Sequence, residues 1–596
     1  MPGLIEDHGL VGDLHTVALV DRDGTVDWLC LPRFDSGACF ASLLGDERHG
    51  FWRIAPVGAR LADRRRYRGD TLILEHEWDT PHGSVRLTDF MPPSGGAHDL
   101  VRIVEGLSGR VQMHSALQLR FDYGRSVPWV ARVGDQVVGV CGPDAVSLRC
   151  NVPAYGRDLT THAEATVSAG ERLTFVLNWH PSHLPSPPPV DPYPALAETL
   201  RFWTDWASRC TYRGPYREAV LRSLLTLKAL TYEPTGGIVA APTTSLPEQL
   251  GGVRNWDYRY CWLRDAAFTL DALVRSGYVE EAHAWRNWLL RAIGGNPDDL
   301  QIMYGVAGER RLMEFDLPWL PGYERSRPVR VGNAAAQQLQ IDVYGEVIDT
   351  LSRARGHGLP VDRQSWGVQT LLLNNLERRW DDPDAGIWEI RGQRRHFVHS
   401  KVLAWVAADR LIRAVEAERM PSRDVARWQG LRAMIHAEVC AKGYDAQRNT
   451  FTQSYGLPPV DAALLQIPIV GFLPPDDPRV VGTVDMVRKE LTTESGLVLR
   501  YRTETDVDGL PGDEGAFLAC SFWLVEALYL TGRREEAYAQ FDYLLSLRND
   551  LGLLAEEYDP RINRMVGNFP QAFSHIPLVT AALLLSEVPG PPTGRA

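Results

Sequence analysis

Between about residues 10 and 180 the apolar positions recur every second residue in short runs, whereas beyond about 195 they recur every three to four. The first period belongs to strands with one buried face, the second to amphipathic helices. His15-Thr-Val-Ala-Leu-Val20, the turn pair Asp23-Gly24 and Thr25-Val-Asp-Trp-Leu-Cys30 together form a hairpin pattern. Similar runs at 71–77, 84–89, 100–105, 111–119, 136–140, 145–150 and 172–179 predict an N-terminal antiparallel β-sandwich over residues 1–180. The proline-rich stretch 181–194 lacks the amide donors that a helix or central strand needs and reads as a domain boundary. It opens a linker and linker helix over 181–214, with helical periodicity starting at Ala195.

Twelve amphipathic segments follow, at 215–230, 262–276, 279–293, 333–355, 365–379, 397–417, 422–441, 461–470, 478–491, 514–531, 533–549 and 572–587. Twelve helices in hairpin succession predict an (α/α)6 barrel over 215–590, six helices inside and six outside. Inner helices face both the axis and the outer ring, so they should be apolar all round. The stretches 515–530 and 403–411 read that way. The loops at one end of the inner ring then form a funnel where chemistry is expected.

Composition narrows the function. An apolar fraction of 44% and a charged fraction of 23% are those of a globular protein, and the net charge of −12 gives no basic footprint for nucleic acid or anionic lipid. No stretch stays apolar for the ~20 residues of a membrane span, and the N-terminus lacks a charged segment followed by an apolar run. Cys30, Cys39, Cys141, Cys150, Cys210, Cys261, Cys440 and Cys520 are scattered singly, without metal-site or disulfide spacing. These features predict a cytoplasmic protein with no cofactor. The sequence does not decide between a monomer and a homo-oligomer.

Three stretches place carboxylates among aromatic and cationic side chains: Asp257-Tyr-Arg-Tyr-Cys-Trp-Leu-Arg-Asp265, Gly386-Ile-Trp-Glu389 and Ala555-Glu-Glu-Tyr-Asp559. A neutral sugar offers hydroxyls for Asp and Arg to bond and ring faces for Trp and Tyr to cover. Splitting its acetal needs two carboxyls, one to protonate the leaving oxygen and one to activate water or attack. A small-molecule carbohydrate substrate is therefore expected. Each residue also has a plainer reading: Arg264 and Asp265 as a helix-capping pair, Glu389 as a solvated loop residue, and Glu556 or Glu557 as a surface charge. Glu346, on an apolar helix with Asp342 one turn earlier, is a rival acid or a support for a loop. His396 and His399 come nearest to a metal pattern but lack a third ligand nearby, so no metal is expected.

The pattern Asp-Tyr-x-Tyr-x-Trp-x-Arg-Asp resembles the pocket-floor motif of glycoside hydrolase family 15, the glucoamylase and bacterial trehalase family. Ile387-Trp388-Glu389 and Glu556-Glu557-Tyr558-Asp559 follow in the family's order, Arg500-Tyr501 is a weaker match, and Asp27-Trp-Leu-Cys-Leu-Pro-Arg-Phe-Asp35 resembles the sandwich of bacterial members. The resemblance implies Glu389 as general acid and Glu556 as general base of an inverting, exo-acting α-glucosidase. It also implies Tyr258, Trp262, Arg264, Asp265, Trp388, Arg500 and Glu557 in the substrate site, with Trp388 desolvating Glu389. Where starch-cleaving members carry a second glutamate after the acid, this chain has Ile390, and Arg325 is the nearest counterpart of a family tryptophan. Both departures favour a short, polar leaving group, as in trehalose or a small isomalto-oligosaccharide. The alternatives are a helical-barrel disaccharide phosphorylase, which Glu556 argues against, and a non-catalytic sugar-binding protein.

Overall fold

The computed structural model describes residues 3–93, 98–188, 190–295, 297–360, 363–418, 420–503 and 508–586. Fifteen strands between His8 and Pro181 form an antiparallel β-sandwich. The two runs read separately at 100–105 and 111–119 are one strand, His98–Gln118, that crosses from one layer to the other. Its first half pairs with Gly83–Phe90 and Arg172–Pro181, its second half with Phe51–Pro56 and Thr160–Ser168. Between the halves Gly106 and Gly109 pack against backbone that would meet a Cβ at 2.1 Å, so only glycine fits at this crossing.

Helix α1 (Pro192–Ser208) begins inside the proline-rich stretch, contrary to the expectation that 181–194 holds no helix. Asp191 caps it through the Tyr193 amide, and Pro192 stands in the first turn, where a missing N–H removes no helical hydrogen bond. The helices that follow alternate outer and inner. In chain order they are α2 (Arg217–Ala229), α3 (Leu263–Arg275), α4 (Val279–Ala292), α5 (Asp342–Gly356), α6 (Arg363–Glu377) and α7 (Val398–Glu418). Then come α8 (Val425–Lys442), α9 (Gln466–Ile469, preceded by a 3-10 turn at Ala462–Leu465), α10 (Pro478–Leu491), α11 (Leu518–Leu530), α12 (Arg534–Ser546) and α13 (Ala572–Ser586). Each odd-numbered helix from α3 packs on the next, and α13 packs back on α3, closing the inner ring of an (α/α)6 barrel. Every residue of α11 from Leu518 to Leu528 is buried, as an inner helix requires.

The two layers of the molecule interlock at the funnel end of the barrel. The Trp28 indole donates to the Pro242 carbonyl at 2.8 Å, and the Trp319 indole to the Tyr123 carbonyl at 3.1 Å. No helix of the described residues is long and apolar enough to cross a membrane.

Candidate active site

The stretch 257–265 leaves a loop, pairs Cys261–Trp262 with Met303–Tyr304, and enters the first turn of α3. Asp257 and Arg259 form a fully buried ion pair at 2.7 Å, away from the funnel. Asp257 accepts the Gly332 amide and Arg259 donates to the Ser36 carbonyl of the sandwich, at 3.1 and 2.9 Å. Extended backbone alternates its side chains. Tyr258, between these two anchors, therefore points into a cavity at the funnel end of the barrel.

Tyr258, Trp262, Arg264, Asp265, Trp388, Glu389 and Arg500 all line this one cavity. The Trp262 indole donates to Glu389 Oε1 at 2.6 Å, and the Tyr258 hydroxyl donates to Glu556 Oε1 at 2.7 Å. The two rings meet edge to face, with centroids 5.3 Å apart. Neighbouring aromatic residues of one motif thus hold both glutamates, which lie 167 positions apart in the chain. Glu389 lines the cavity with its side chain 19% exposed. Glu556 is 1% exposed and sits behind the wall, where the Asn568 amide also reaches its Oε2 at 3.1 Å. Glu557 does not reach the cavity. It lies on a strand paired with Ala516–Phe517, so its side chain diverges from that of Glu556 and meets Arg500 at 3.2 Å.

Glu389 occupies a strained turn. Its φ is +55°, a left-handed conformation that costs a non-glycine residue ~1–3 kcal/mol, and its amide donates to Gly386, itself at φ +67°. The turn aims the carboxyl between Trp262 and Arg264, whose Nη1 lies 3.6 Å away. Burial raises the Glu389 pKa above the ordinary carboxylate range, opposed by the Arg264 charge and the Trp262 hydrogen bond. Arg264 is itself held by Asp265 at 2.8 Å and by the Ile387 carbonyl at 2.9 Å. Trp388 turns its indole to Asp461 at 2.9 Å and packs on Tyr501, Phe517 and Trp523, so it shapes the wall beside Glu389.

Behind Glu556 stands an ion network absent from the expectations drawn above. Arg500 donates to Glu248 at 2.9 Å and to Glu514 at 2.6 and 2.9 Å, and Arg254 joins Glu514 to Asp508. Glu248 and Arg254 lie in the loop just before the 257–265 motif, and both line the cavity. Burial, and next the Glu248 charge, push the Glu556 pKa up to about 8, against the lowering pull of Arg500 and Tyr258. At the mouth, Trp256 lies between the Arg330 and Arg391 guanidiniums, 4.4 and 4.7 Å from its ring. Arg391 supplies the rim cation, while Arg325 is exposed and forms no part of the wall.

Glu346 is placed elsewhere. It is 1% exposed and lines a second cavity, separated from the first by Phe573, which lines both. Burial, and then neighbouring Asp342, raise its pKa well above the ordinary range. His396 stacks on Tyr455, and His399 lies 3.8 Å from Asp342, so the two imidazoles do not converge. Arg33 pairs with Asp35 and Glu309, and among the described residues the sandwich adds no side chain to the cavity wall.

The site therefore brings two carboxyls, Glu389 and Glu556, together with aromatic and charged side chains at the mouth of an (α/α)6 barrel. A model of glycosyl hydrolases family 15 matches residues 214–583, and one of a trehalase-like N-terminal domain matches residues 2–180. The chain belongs to glycosyl hydrolases family 15 and is a glycoside hydrolase. It is similar to the trehalase of Mycolicibacterium smegmatis, 38% identical over 97% of this chain and 91% of that one. It also resembles the trehalase of Thermoplasma acidophilum, 36% identical over 96% and 98% respectively. A bacterial glucoamylase solved in complex with acarbose shares the fold, with a TM-score of 0.69 at 12% identity over 98% of this chain and 94% of that one.

Proposed function

We propose that the protein is an inverting, exo-acting α,α-trehalase, with Glu389 as general acid and Glu556 as general base. The observation that carries this reading is the pair of aromatic donors, Tyr258 and Trp262, neighbours in one motif that hold Glu389 in the cavity wall and Glu556 just behind it. Inversion calls for carboxyls ~6.5–9.5 Å apart with a water on the far face of the sugar. Glu389, whose pKa burial raises, gives its proton to the glycosidic oxygen. Glu556, once ionised, takes a proton from a water that Tyr258 helps to seat. The water oxygen bonds to the anomeric carbon as the bond to the leaving glucose breaks, so one proton passes from Glu389 to the leaving glucose, another passes from the water to Glu556, and exchange with solvent restores both carboxyls. Arg264, Asp265 and Arg500 bind the hydroxyls of the non-reducing glucose, and Trp388 covers its apolar face. Glu557 supports Arg500.

The identity with trehalases over nearly the full chain favours trehalose over other short α-glucosides. The rim fits a leaving group of one sugar: Ile390 replaces a second acid, and Arg391, stacked on Trp256, offers donors. Domains at 1–180 and 215–590, joined by 181–214, belong to the same proposal, supported by strands that end at Pro181 and a first helix at Pro192. So does a cytoplasmic location, supported by eight free cysteines, of which Cys30, Cys39, Cys210, Cys261 and Cys520 are buried. Initial rates on trehalose, isomaltose, maltose and soluble starch test the substrate. The highest kcat/KM should fall on trehalose. A higher value on isomaltose would move the assignment to an isomalto-oligosaccharide glucohydrolase, and phosphate-dependent release of glucose 1-phosphate would move it to a phosphorylase.

A further inference from the structure

A group of metal-competent side chains lies away from the sugar cavity. Asp13 and His15 flank Leu14 in the turn between strands His8–Gly12 and Val17–Asp21, and Leu14 holds a left-handed φ of 68°. Facing them, His98 opens the long strand His98–Gln118. One donor atom from each residue lies within 4.8 Å of the other two. Asp13 is 1% and His15 8% exposed, and the His98 side chain is 11% exposed.

The hydrogen bonds around the group leave its donor atoms free. Asp13 Oδ1 accepts the His15 and Thr16 amides, both at 2.9 Å, which fixes the carboxylate by one oxygen. The other oxygen, Oδ2, is buried and accepts nothing, and the buried His98 Nδ1 also has no hydrogen-bond partner. These two atoms stand 3.6 Å apart, too far to bond each other. Two ligands bound tetrahedrally to one ion at ~2.0–2.2 Å are ~3.3–3.6 Å apart. The His15 Nδ1 lies 3.3 Å from the Asp13 carbonyl oxygen. A carbonyl only accepts, so Nδ1 carries the proton there and Nε2 keeps the lone pair that a metal requires.

We propose that Asp13, His15 and His98 bind a single zinc-class dication. Two imidazoles and one carboxylate suit zinc or cobalt, whereas calcium and magnesium favour six or more oxygen ligands. Three protein ligands leave a fourth position for water. The site lies where the sandwich meets the helical ring: the Leu14 carbonyl accepts the Glu233 amide at 2.9 Å, and the His15 ring packs edge-on against Tyr232 at 5.7 Å. None of the three residues lines the sugar cavity, so the ion acts as a staple that ties the first hairpin to the long strand and stabilises the folded state.

Full-length protein stripped with chelator should bind cobalt(II) at one ion per chain, with the intense visible absorption of a tetrahedral site, and zinc(II) should displace it and raise the unfolding temperature. Loss of even an outer-sphere partner weakens metal binding ~10–100-fold, so His15→Ala, His98→Ala and Asp13→Asn should each cost more than ~10-fold in affinity. The wild-type titration decides the matter even if a variant fails to fold. Absence of saturable binding to the wild type would leave only an unbonded His–Asp contact and overturn the proposal. Binding undiminished in folded His15→Ala, His98→Ala and Asp13→Asn would overturn it as well.

Discussion

Tyr258→Phe removes one oxygen and leaves the ring against Trp262, so it isolates the hydrogen bond to Glu556. That bond is 2.7 Å long, at the short, charge-assisted end of the O–H···O range, and burial keeps the Tyr258 pKa well above its usual value, so it remains a donor. A hydrogen bond to a charged group contributes ~1.5–3 kcal/mol, and each ~1.4 kcal/mol is tenfold in rate, so kcat on trehalose should fall about 10- to 150-fold. The lost bond is one of the influences that lowers the Glu556 pKa. Its removal should therefore also move the acidic limb of the pH–rate profile to higher pH, with KM little changed. Initial rates of glucose release across the pH range give both readouts. A loss under about threefold with an unmoved acidic limb would refute the role given to this bond and, with it, the assignment of Glu556 as base.

Glu389→Gln should lower kcat by ~10²–10⁴-fold, the contribution of a positioned general acid, while glucose binding followed by Trp fluorescence stays near the wild-type value. Glu248→Gln removes the neighbouring charge that, after burial, most raises the Glu556 pKa. The acidic limb, set by ionisation of Glu556 near pH 8, should shift to lower pH, and an unshifted limb would show that the network does not tune the base. Arg259→Met leaves Asp257 as an uncompensated buried charge and should cost ~3–5 kcal/mol of stability in denaturant unfolding, since breaking a buried pair by one partner is strongly destabilising.

The fold was legible because the two hydrophobic periods are local properties. Each of the twelve helical segments carries its own amphipathic or apolar signature, and the sandwich strands alternate in place. The exceptions are equally physical. The His98–Gln118 strand read as two because Gly106 and Gly109 break its alternation where it changes layers, and helix α1 gained Pro192 because proline is tolerated in a first turn. Within the site, the aromatic and arginine motif at 257–265 stood out by composition. Glu248, Arg254, Asp508 and Glu514 did not, since each is an ordinary polar residue in its own segment and the network forms only when the barrel brings loops some 260 positions apart together. The Pro247–Asn255 loop next to the motif carried the one local signal, an acid and an arginine six residues apart. Asp13 and His15 carry no local signal for the same reason, because His98 joins them only through the sheet.

The proposed mechanism requires direct attack by water across a single bound glucose, and trehalose reports the stereochemistry unambiguously. Proton NMR in the first minutes, at an enzyme concentration that outruns mutarotation, resolves the α and β anomers. Inversion converts the attacked glucose to β and releases the leaving glucose as α, so the two should appear in equal amounts. Initial release of α-glucose alone would mean retention through a covalent intermediate, and would contradict the pairing of Glu389 as acid with Glu556 as base.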